Sequence, residues 1–260
     1  MMENTQPTQQ NNTFNNNQIV SLIWNIADDV LRDVFLRGQY RDVILPMVVL
    51  RRLDALLEPT KEEVEEELAE LDPGEDPDEG VMCDITGLSY YNTSKWTLSR
   101  LKSQAPDDNN LLYDNFVEYL NGYSENVRDV LKNFDYFNKA RKLADNDRLL
   151  AIIERITDRR INLTDKQLDD PDGLPLPPLD NVGMGTVFEE LLRRFNEENN
   201  EEAGEHFTPR DAISLLAHLI FEPIRDQLPK IVTLYDPACG SGGMLTEGYE
   251  YLQSIGIRPS

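Results

Sequence analysis

The chain has 260 residues, 40% of them hydrophobic, which is enough for one large domain or two modest ones, each with its own core. No apolar stretch is long enough to cross a membrane, so we expect no membrane partner. The formal net charge of −23 argues against a chain that holds nucleic acid by itself, because lysine and arginine contacts with phosphates supply most non-specific affinity.

The first 18 residues are rich in Asn, Gln and Thr, and they lack the basic start and apolar stretch of a signal peptide. We predict a disordered polar N-terminus over residues 1–18 and a cytoplasmic location in a bacterium or archaeon. Cys83 and Cys239 are the only cysteines and lie far apart in the sequence, so we expect no disulfide framework.

Apolar residues that recur at steps of three and four predict two helices after this N-terminus. The first runs over residues 19–35 and the second over about residues 40–57. Pro46 either kinks the second helix or sits near its first turn. We expect Arg51 and Arg52 on its polar side.

Residues 58–79 are strongly acidic, with 12 Asp or Glu residues and Lys61 as the only base; their first half favours a solvated helix and their second half an exposed loop. Residues 81–101 mix β-branched and aromatic residues with turn formers, which predicts short irregular or strand-like structure. Three apolar stripes over residues 111–161 predict three short helices and complete a helical domain over residues 19–170. The stripes are Leu112, Phe116, Tyr119 and Leu120, then Val127, Val130, Leu131 and Phe134, then Leu149, Leu150, Ile152, Ile153 and Ile156.

Four prolines and a glycine within residues 171–178 mark a boundary, and we place a linker over residues 171–181. A second domain then covers residues 182–260 and begins with a helix over about residues 184–198. A polar loop follows, and a further helix starts at Thr208 as N-cap with Pro209 at its first position and Asp211 in its first turn. The residues expected on the buried side of this helix are Ile213, Leu216, Ala217 and Ile220.

The end of the chain has the order strand, acidic residue, glycine-rich turn, helix. Residues 231–235 predict a short buried strand, and residues 244–252 predict a helix. Between them the sequence is Asp236-Pro237-Ala238-Cys239-Gly240-Ser241-Gly242-Gly243. Such glycines let the backbone approach a ligand, and the helix start offers unpaired N–H groups, as in nucleotide and nucleoside sites at the carboxyl ends of parallel strands. The spacing matches neither the dinucleotide fingerprint nor a P-loop.

Continued by Met244, this segment resembles the first motif of S-adenosylmethionine-dependent adenine-N6 DNA methyltransferases, where the glycine turn lies against the methionine and ribose part of the cofactor. About 30 residues upstream, Gly204-Glu205-His206-Phe207-Thr208-Pro209-Arg210 resembles the family's Phe-Thr-Pro-Arg segment, which closes over the cofactor. The resemblance implies that S-adenosylmethionine is bound by Glu205, His206, Phe207, Thr208, Pro209 and Arg210 together with Asp236, Pro237, Ala238, Cys239, Gly240, Ser241, Gly242 and Gly243.

Two further segments resemble the modification subunit of type I restriction-modification systems. They are Met184-Gly185-Thr186-Val187-Phe188-Glu189-Glu190-Leu191 with Phe195-Asn196, and Tyr40-Arg41-Asp42-Val43-Ile44-Leu45-Pro46 followed by Leu50-Arg51-Arg52-Leu53. This resemblance implies an α-helical N-terminal domain followed by the start of an α/β Rossmann-like methyltransferase domain. It also implies a DNA-specificity subunit and a restriction subunit as partners, with duplex DNA contacted mainly through the specificity subunit.

The family's catalytic Asn-Pro-Pro-aromatic segment, which holds a flipped-out adenine, occurs nowhere in the sequence. We therefore expect no catalytic residue in this chain and no methylation by this polypeptide alone. The sequence stops about where a second strand is expected, so we expect an incomplete methyltransferase domain. Such a domain exposes apolar surface, and we expect the region from about Val182 onward to be loosely ordered or to self-associate.

Two other functions stay open. The chain could be a non-catalytic docking module or a decayed, truncated gene product, with a vestigial cofactor site. It could also belong to a methyltransferase that acts on RNA or protein. We expect no metal site, because His206 and His218 have no cysteine partner and the acidic residues 62–67 lack the spacing of a calcium loop. Cys239 has no base near it in sequence that would make it a nucleophile.

Overall fold

The computed structural model describes residues 7–72, 74–169, 173, 175–198, 208–240 and 242–259. The described residues are divided between two compact units: Gln18–Pro178, called here the helical unit, and Leu179–Ser260 with Met1–Asn17, called the C-terminal unit. In chain order the helices are α1 (Pro7–Leu31), α2 (Arg41–Leu57), α3 (Lys61–Glu70), α4 (Glu79–Thr86), α5 (Leu98–Ser103), α6 (Asn109–Asn121), α7 (Glu125–Asn133), α8 (Tyr136–Asp145), α9 (Leu149–Ile156), α10 (Asn181–Glu198), α11 (Arg210–Phe221) and α12 (Gly243–Ser254). The short strands are β1 (Leu168–Asp169), β2 (Pro175–Leu176), β3 (Ile231–Val232) and β4 (Arg258–Pro259). None of the helices within these ranges combines the length and apolar character needed to cross a membrane.

Helix α1 begins at Pro7, well before the predicted start at Ile19, so the structure differs from the disorder expected over residues 1–18. Residues 1–6 lie outside the described residues. Proline suits the first position of a helix, and the polar residues that follow can extend a helix that the amphipathic part nucleates. The predicted apolar face is buried at Ile19, Ile23, Ile26 and Val30. The helix ends just before Asp33, which has a positive φ of 69°.

Helix α2 confirms the predicted second helix and contains Pro46. The expected position of Arg51 and Arg52 on a polar side was wrong, because both residues are buried. Arg52 Nη1 donates to the carbonyl oxygen of Leu163 at 2.6 Å. Neighbouring segments surround α2, so it has no solvated face for these arginines to occupy.

Two short helices, α4 and α5, occupy the ends of the segment 81–101, where irregular or strand-like structure was predicted; the residues between them are irregular, as predicted, with one antiparallel β-bridge between Asn92 and Tyr123. Asp78 Oδ1 accepts a hydrogen bond from Val81 N at 3.0 Å at the start of α4. Thr97 Oγ1 accepts one from Arg100 N at 3.1 Å at the start of α5. Side-chain caps of this kind supply acceptors for first-turn amides, so they favour helices too short to show a clear 3.6-residue pattern.

The three helices predicted over residues 111–161 are four, α6 to α9. Asp135 has a positive φ of 53°, which separates α7 from α8. The stripe predicted for α6 is buried throughout. In α7 only Leu131 is buried, whereas Val130 and Phe134 are exposed, because α7 packs mainly on one neighbour, α8. A helical N-terminal domain is confirmed.

In the C-terminal unit, β3 and β4 pair in parallel, with Ile231 opposite Arg258 and Val232 opposite Pro259, and α12 connects them. A parallel pair needs such a crossover connection. The buried strand predicted over residues 231–235 was wrong in length and burial: β3 has two residues, Ile231 is 65% exposed and Tyr235 is 84% exposed. Within the described part of the chain β4 is the only strand paired with β3, which leaves these apolar side chains uncovered.

Helix α11 begins at Arg210, with Pro209 at the cap position and no side-chain cap, so the predicted Thr208 cap was wrong. Asp211 lies in the first turn, as predicted. Ile213 and Ala217 are buried, but the expected burial of Leu216 and Ile220 was wrong, because α12 covers only one side of α11. The expected exposure of apolar surface in this region is confirmed. The exposed side chains on and after α11 are Leu215, Leu216, Leu219, Ile220 and Ile224.

Candidate cofactor-binding site

The turn between β3 and α12 is shaped by its own hydrogen bonds. Asp236 Oδ1 accepts from Ala238 N at 2.9 Å, which is an Asx turn. Gly242 N donates to the carbonyl oxygen of Cys239 at 2.7 Å and closes the next part of the loop. Gly240 has a φ of 52° and Gly242 a φ of 80°, a region that favours glycine. The predicted glycine-rich turn therefore depends on glycine at both positions for its backbone conformation.

Helix α12 begins directly at the end of this turn. Gly242 is its cap residue, and the carbonyl oxygen of Gly242 accepts from Thr246 N at 2.9 Å and from Thr246 Oγ1 at 3.0 Å. The amides of α12 that precede Thr246 have no acceptor within the helix, as in the first turn of any α-helix. They lie next to a loop that is open to solvent at Cys239 and Gly240, with Asp236 half-buried beside it.

The C-terminal end of α11 holds α12 through a cluster of rings. Phe221 stacks on Tyr251 with ring centres 5.7 Å apart, and His218 contacts Tyr251 edge-on at 4.9 Å. The Tyr251 hydroxyl donates to Glu222, and that bond raises the pKa of Tyr251. His218 Nδ1 also lies 2.9 Å from the carbonyl oxygen of Ser214. His218 thus contacts α12 from an exposed position on α11.

The structure brings some of the predicted site residues together and leaves others apart. Asp236, Pro237, Ala238, Cys239, Gly240, Gly242 and Gly243 share the one turn. Thr208 and Pro209 precede α11 and Arg210 is its first residue. Glu205, His206, Phe207 and Ser241 lie outside the described residues. The approach of residues 205–210 to the turn therefore stays a prediction.

One residue and one cleft near the turn were not singled out from the sequence. Gly248, in α12, is buried and lies against Phe221 and Leu234. A glycine inside a helix is visible in the sequence, but its reason, a close neighbour, is a property of packing. A shallow cleft along the same helix is lined by Asn181, Leu245, Thr246, Tyr249 and Glu250.

The donor set of the turn suits the zwitterionic amino-acid group of a cofactor. Left-handed glycines keep side chains away from the loop, helix-start amides complement a carboxylate, and the Asp236 carboxylate complements an ammonium group. No three His, Cys, Asp or Glu side chains among the described residues form a group that could hold a metal ion.

Two protein families match the chain, one in each unit. The family described as "HsdM N-terminal domain" matches residues 19–156, which is more than half of the chain. The family described as "N-6 DNA Methylase" matches residues 180–258, which contain the turn. No solved structure matches the chain significantly.

Similar curated proteins are methylase subunits of type I restriction enzymes. The MjaIX methylase subunit of Methanocaldococcus jannaschii is 23% identical over 247 residues, which cover 90% of this chain and 40% of that subunit. The EcoKI methylase subunit of Escherichia coli is 34% identical over 71 residues, which cover 27% of this chain and 12% of that subunit. The chain thus spans well under half the length of these relatives.

Proposed function

Because this chain belongs to the HsdM family, the methylase subunits of type I restriction enzymes, we propose that it binds S-adenosylmethionine at the turn between β3 and α12. The observation that carries the proposal is the conformation of this turn. Two glycines with positive φ follow Asp236 at the end of a strand and lead directly into the start of a 12-residue helix within a parallel strand–helix–strand unit. We also propose that this strand–helix–strand element is part of a Rossmann-like methyltransferase domain.

Each group at the turn has a role in the proposal. The first amides of α12 hold the cofactor's carboxylate, and Asp236 faces its ammonium group. Gly240 and Gly242 let the loop backbone lie close to the cofactor. Residues 205–210 close over the cofactor. When bound, S-adenosylmethionine supplies the methyl group of the reaction.

We extend the proposal to the whole methylase subunit of which this chain forms part. That protein methylates the N6 atom of adenine in duplex DNA, together with a specificity subunit and a restriction subunit, in the cytoplasm. The net charge of −23 favours this division of labour, because phosphate contacts then fall largely to a partner. The sequence contains no Asn-Pro-Pro-aromatic segment, so we expect this polypeptide to bind cofactor without methylating DNA.

Titration calorimetry with S-adenosylmethionine tests the cofactor site. The two informative variants are Asp236→Asn and Asp236→Ala. Asparagine keeps the acceptor for Ala238 N and removes the charge, whereas alanine removes both. We expect the wild-type chain to bind, asparagine to weaken binding by about tenfold, and alanine to weaken it further. Equal affinity in all three chains would contradict a role for Asp236 in cofactor binding.

The exposed apolar side of α11 favours a second candidate, a docking module in which the cofactor turn is vestigial. The same titration separates the two functions. A docking module gives no binding of S-adenosylmethionine to the wild-type chain, and Asp236→Ala then changes nothing.

The methylation step is tested with unmodified DNA and a purified specificity subunit. Turnover by this chain would contradict our expectation of inactivity.

A further inference from the structure

Gly248 differs from the two turn glycines in what surrounds it. A Cβ atom added to Gly248 would lie 3.3 Å from Phe221 Cε2 and 3.6 Å from Leu234 Cδ1. A Cβ added to Gly240 or Gly242 would meet nothing within 4 Å, so those two are glycines for their positive φ. Gly248 lies within α12, where any residue can adopt the backbone conformation. It therefore serves close packing.

The two neighbours of Gly248 belong to the elements that fix the ends of the cofactor turn. Leu234 lies two residues before Asp236, in the segment that runs from β3 into the turn. Phe221 is the last residue of α11, and its ring is stacked on Tyr251. Gly248 itself lies about 7.5 Å along α12 from Gly243, at 1.5 Å per residue. Gly248 is thus the place where α12 touches both the incoming segment and α11.

We infer that Gly248 is a positioning residue for the proposed cofactor site. Its missing side chain sets the distance between the end of the β3 segment and the start of α12, and hence the distance between Asp236 and the helix-start amides. This inference rests on the proposed function. Close helix–strand packing has the same role for a glycine in the dinucleotide-binding fold.

The turn has little freedom to absorb a change in that distance. The bonds from Ala238 N to Asp236 and from Gly242 N to Cys239 tie it internally, and Thr246 ties its last residue to α12. A side chain larger than methyl at position 248 must displace Phe221 or move α12 away from Leu234. Either movement shifts one end of the turn relative to the other.

The test compares Gly248→Ala and Gly248→Val with Gln253→Val. The last variant places the same valine on an exposed position of the same helix. The readouts are helicity by circular dichroism, amide hydrogen exchange of the peptide covering residues 236–246, and the dissociation constant for S-adenosylmethionine. We expect Gly248→Val to speed exchange and weaken binding by about tenfold or more at unchanged helicity. We expect Gly248→Ala to stay within about threefold of wild type, because a few tenths of an ångström accommodate a methyl group, and Gln253→Val to match wild type.

A second-site variant separates spacing from general damage. Phe221→Ala removes the ring nearest to position 248, so Phe221→Ala combined with Gly248→Val should restore much of the turn protection that Gly248→Val alone loses. Wild-type exchange and affinity in a helical Gly248→Val chain would overturn the inference, as would failure of the double variant to restore protection. If the wild-type chain binds no S-adenosylmethionine, the proposed function fails, and the exchange data still decide the role of Gly248.

Discussion

Asp54 of α2 is a buried carboxylate with weak compensation. It is 3% exposed; its two oxygens accept from Leu98 N at 3.2 and 3.3 Å, and the buried Tyr119 hydroxyl also hydrogen-bonds to this carboxylate. Arg51 Nη1 lies 3.8 Å from Asp54 Oδ2, too far for a hydrogen bond. Arg51 Nε and Nη1 make no hydrogen bond within the described residues. Burial raises the pKa of Asp54 from its ordinary 3.8 to about 6, and the attraction of Arg51 and the bonds from Leu98 and Tyr119 offset only part of this.

The raised pKa of Asp54 means that the folded chain binds this proton more tightly than the unfolded chain. The resulting stabilisation is complete below the unfolded value of 3.8 and is lost as the pH rises to about 6. At 1.36 kcal/mol for each unit of pKa, the ionised carboxylate costs the folded state about 3 kcal/mol at neutral pH. This cost already includes the attraction of Arg51.

Replacing Asp54 by asparagine should therefore stabilise the helical unit at neutral pH. Asparagine imitates the protonated acid and keeps an acceptor for Leu98 N. We expect Asp54→Asn to raise the free energy of unfolding by about 3 kcal/mol at pH 7.5 and by less than about 1 kcal/mol at pH 4. The assay is urea unfolding followed by tryptophan fluorescence, because Trp24 and Trp96 are the only tryptophans and both lie in the helical unit.

A matched control makes the same chemical change on the surface. Asp114 is exposed on α6, and Asp114→Asn should change the free energy of unfolding by no more than about 0.5 kcal/mol at either pH. Destabilisation by Asp54→Asn at pH 7.5 would refute the reasoning. It would mean that the pair with Arg51 stabilises the fold by more than burial of the carboxylate costs.

Three further predictions concern other parts of the chain. Asn162→Ala should lower the free energy of unfolding of the helical unit by about 3 kcal/mol, because the buried side-chain amide of Asn162 donates to Pro177 O at 2.9 Å and Lys166 O at 2.9 Å. The β1–β2 segment should then be cleaved faster by proteases, and unchanged cleavage kinetics would contradict this. Lys61→Met should lower the free energy of unfolding by about 3 kcal/mol, and with it the urea midpoint, because methionine leaves the buried carbonyl oxygens of Asn92 and Ser94 without the ammonium donor; a midpoint equal to wild type would show these bonds to be dispensable. Replacing both Leu215 and Leu219 by lysine should abolish any concentration-dependent association seen by light scattering, because both are about 60% exposed on α11; association that persists would place the contact elsewhere.

The helical unit was predictable where periodicity is strong and prolonged. Helix α2 and the buried stripe of α6 follow directly from apolar residues at steps of three and four. Helices α4 and α5 are too short for that signal and depend on caps at Asp78 and Thr97. The burial of Arg51 was not predictable, because a sequence pattern defines the polar side of a helix but not what packs against that side.

The backbone conformation of the glycine turn was predictable from the sequence, whereas the surroundings of the turn were not. The order strand, acidic residue, glycine turn, helix indicated the turn, and Gly240 and Gly242 have the positive φ that such a turn requires. The burial of residues 231–235 was not predictable, because an apolar run carries no information on whether neighbouring strands are present to cover it. Gly248 becomes informative only through its distances to Phe221 and Leu234.

The most direct test of a cofactor site at this turn is hydrogen exchange of the wild-type chain with and without saturating S-adenosylmethionine. We predict that the cofactor slows exchange in the peptide that covers residues 236–246, where the loop and the first amides of α12 lie. Saturable binding with no slowing in this peptide, or with slowing only elsewhere, would contradict the account.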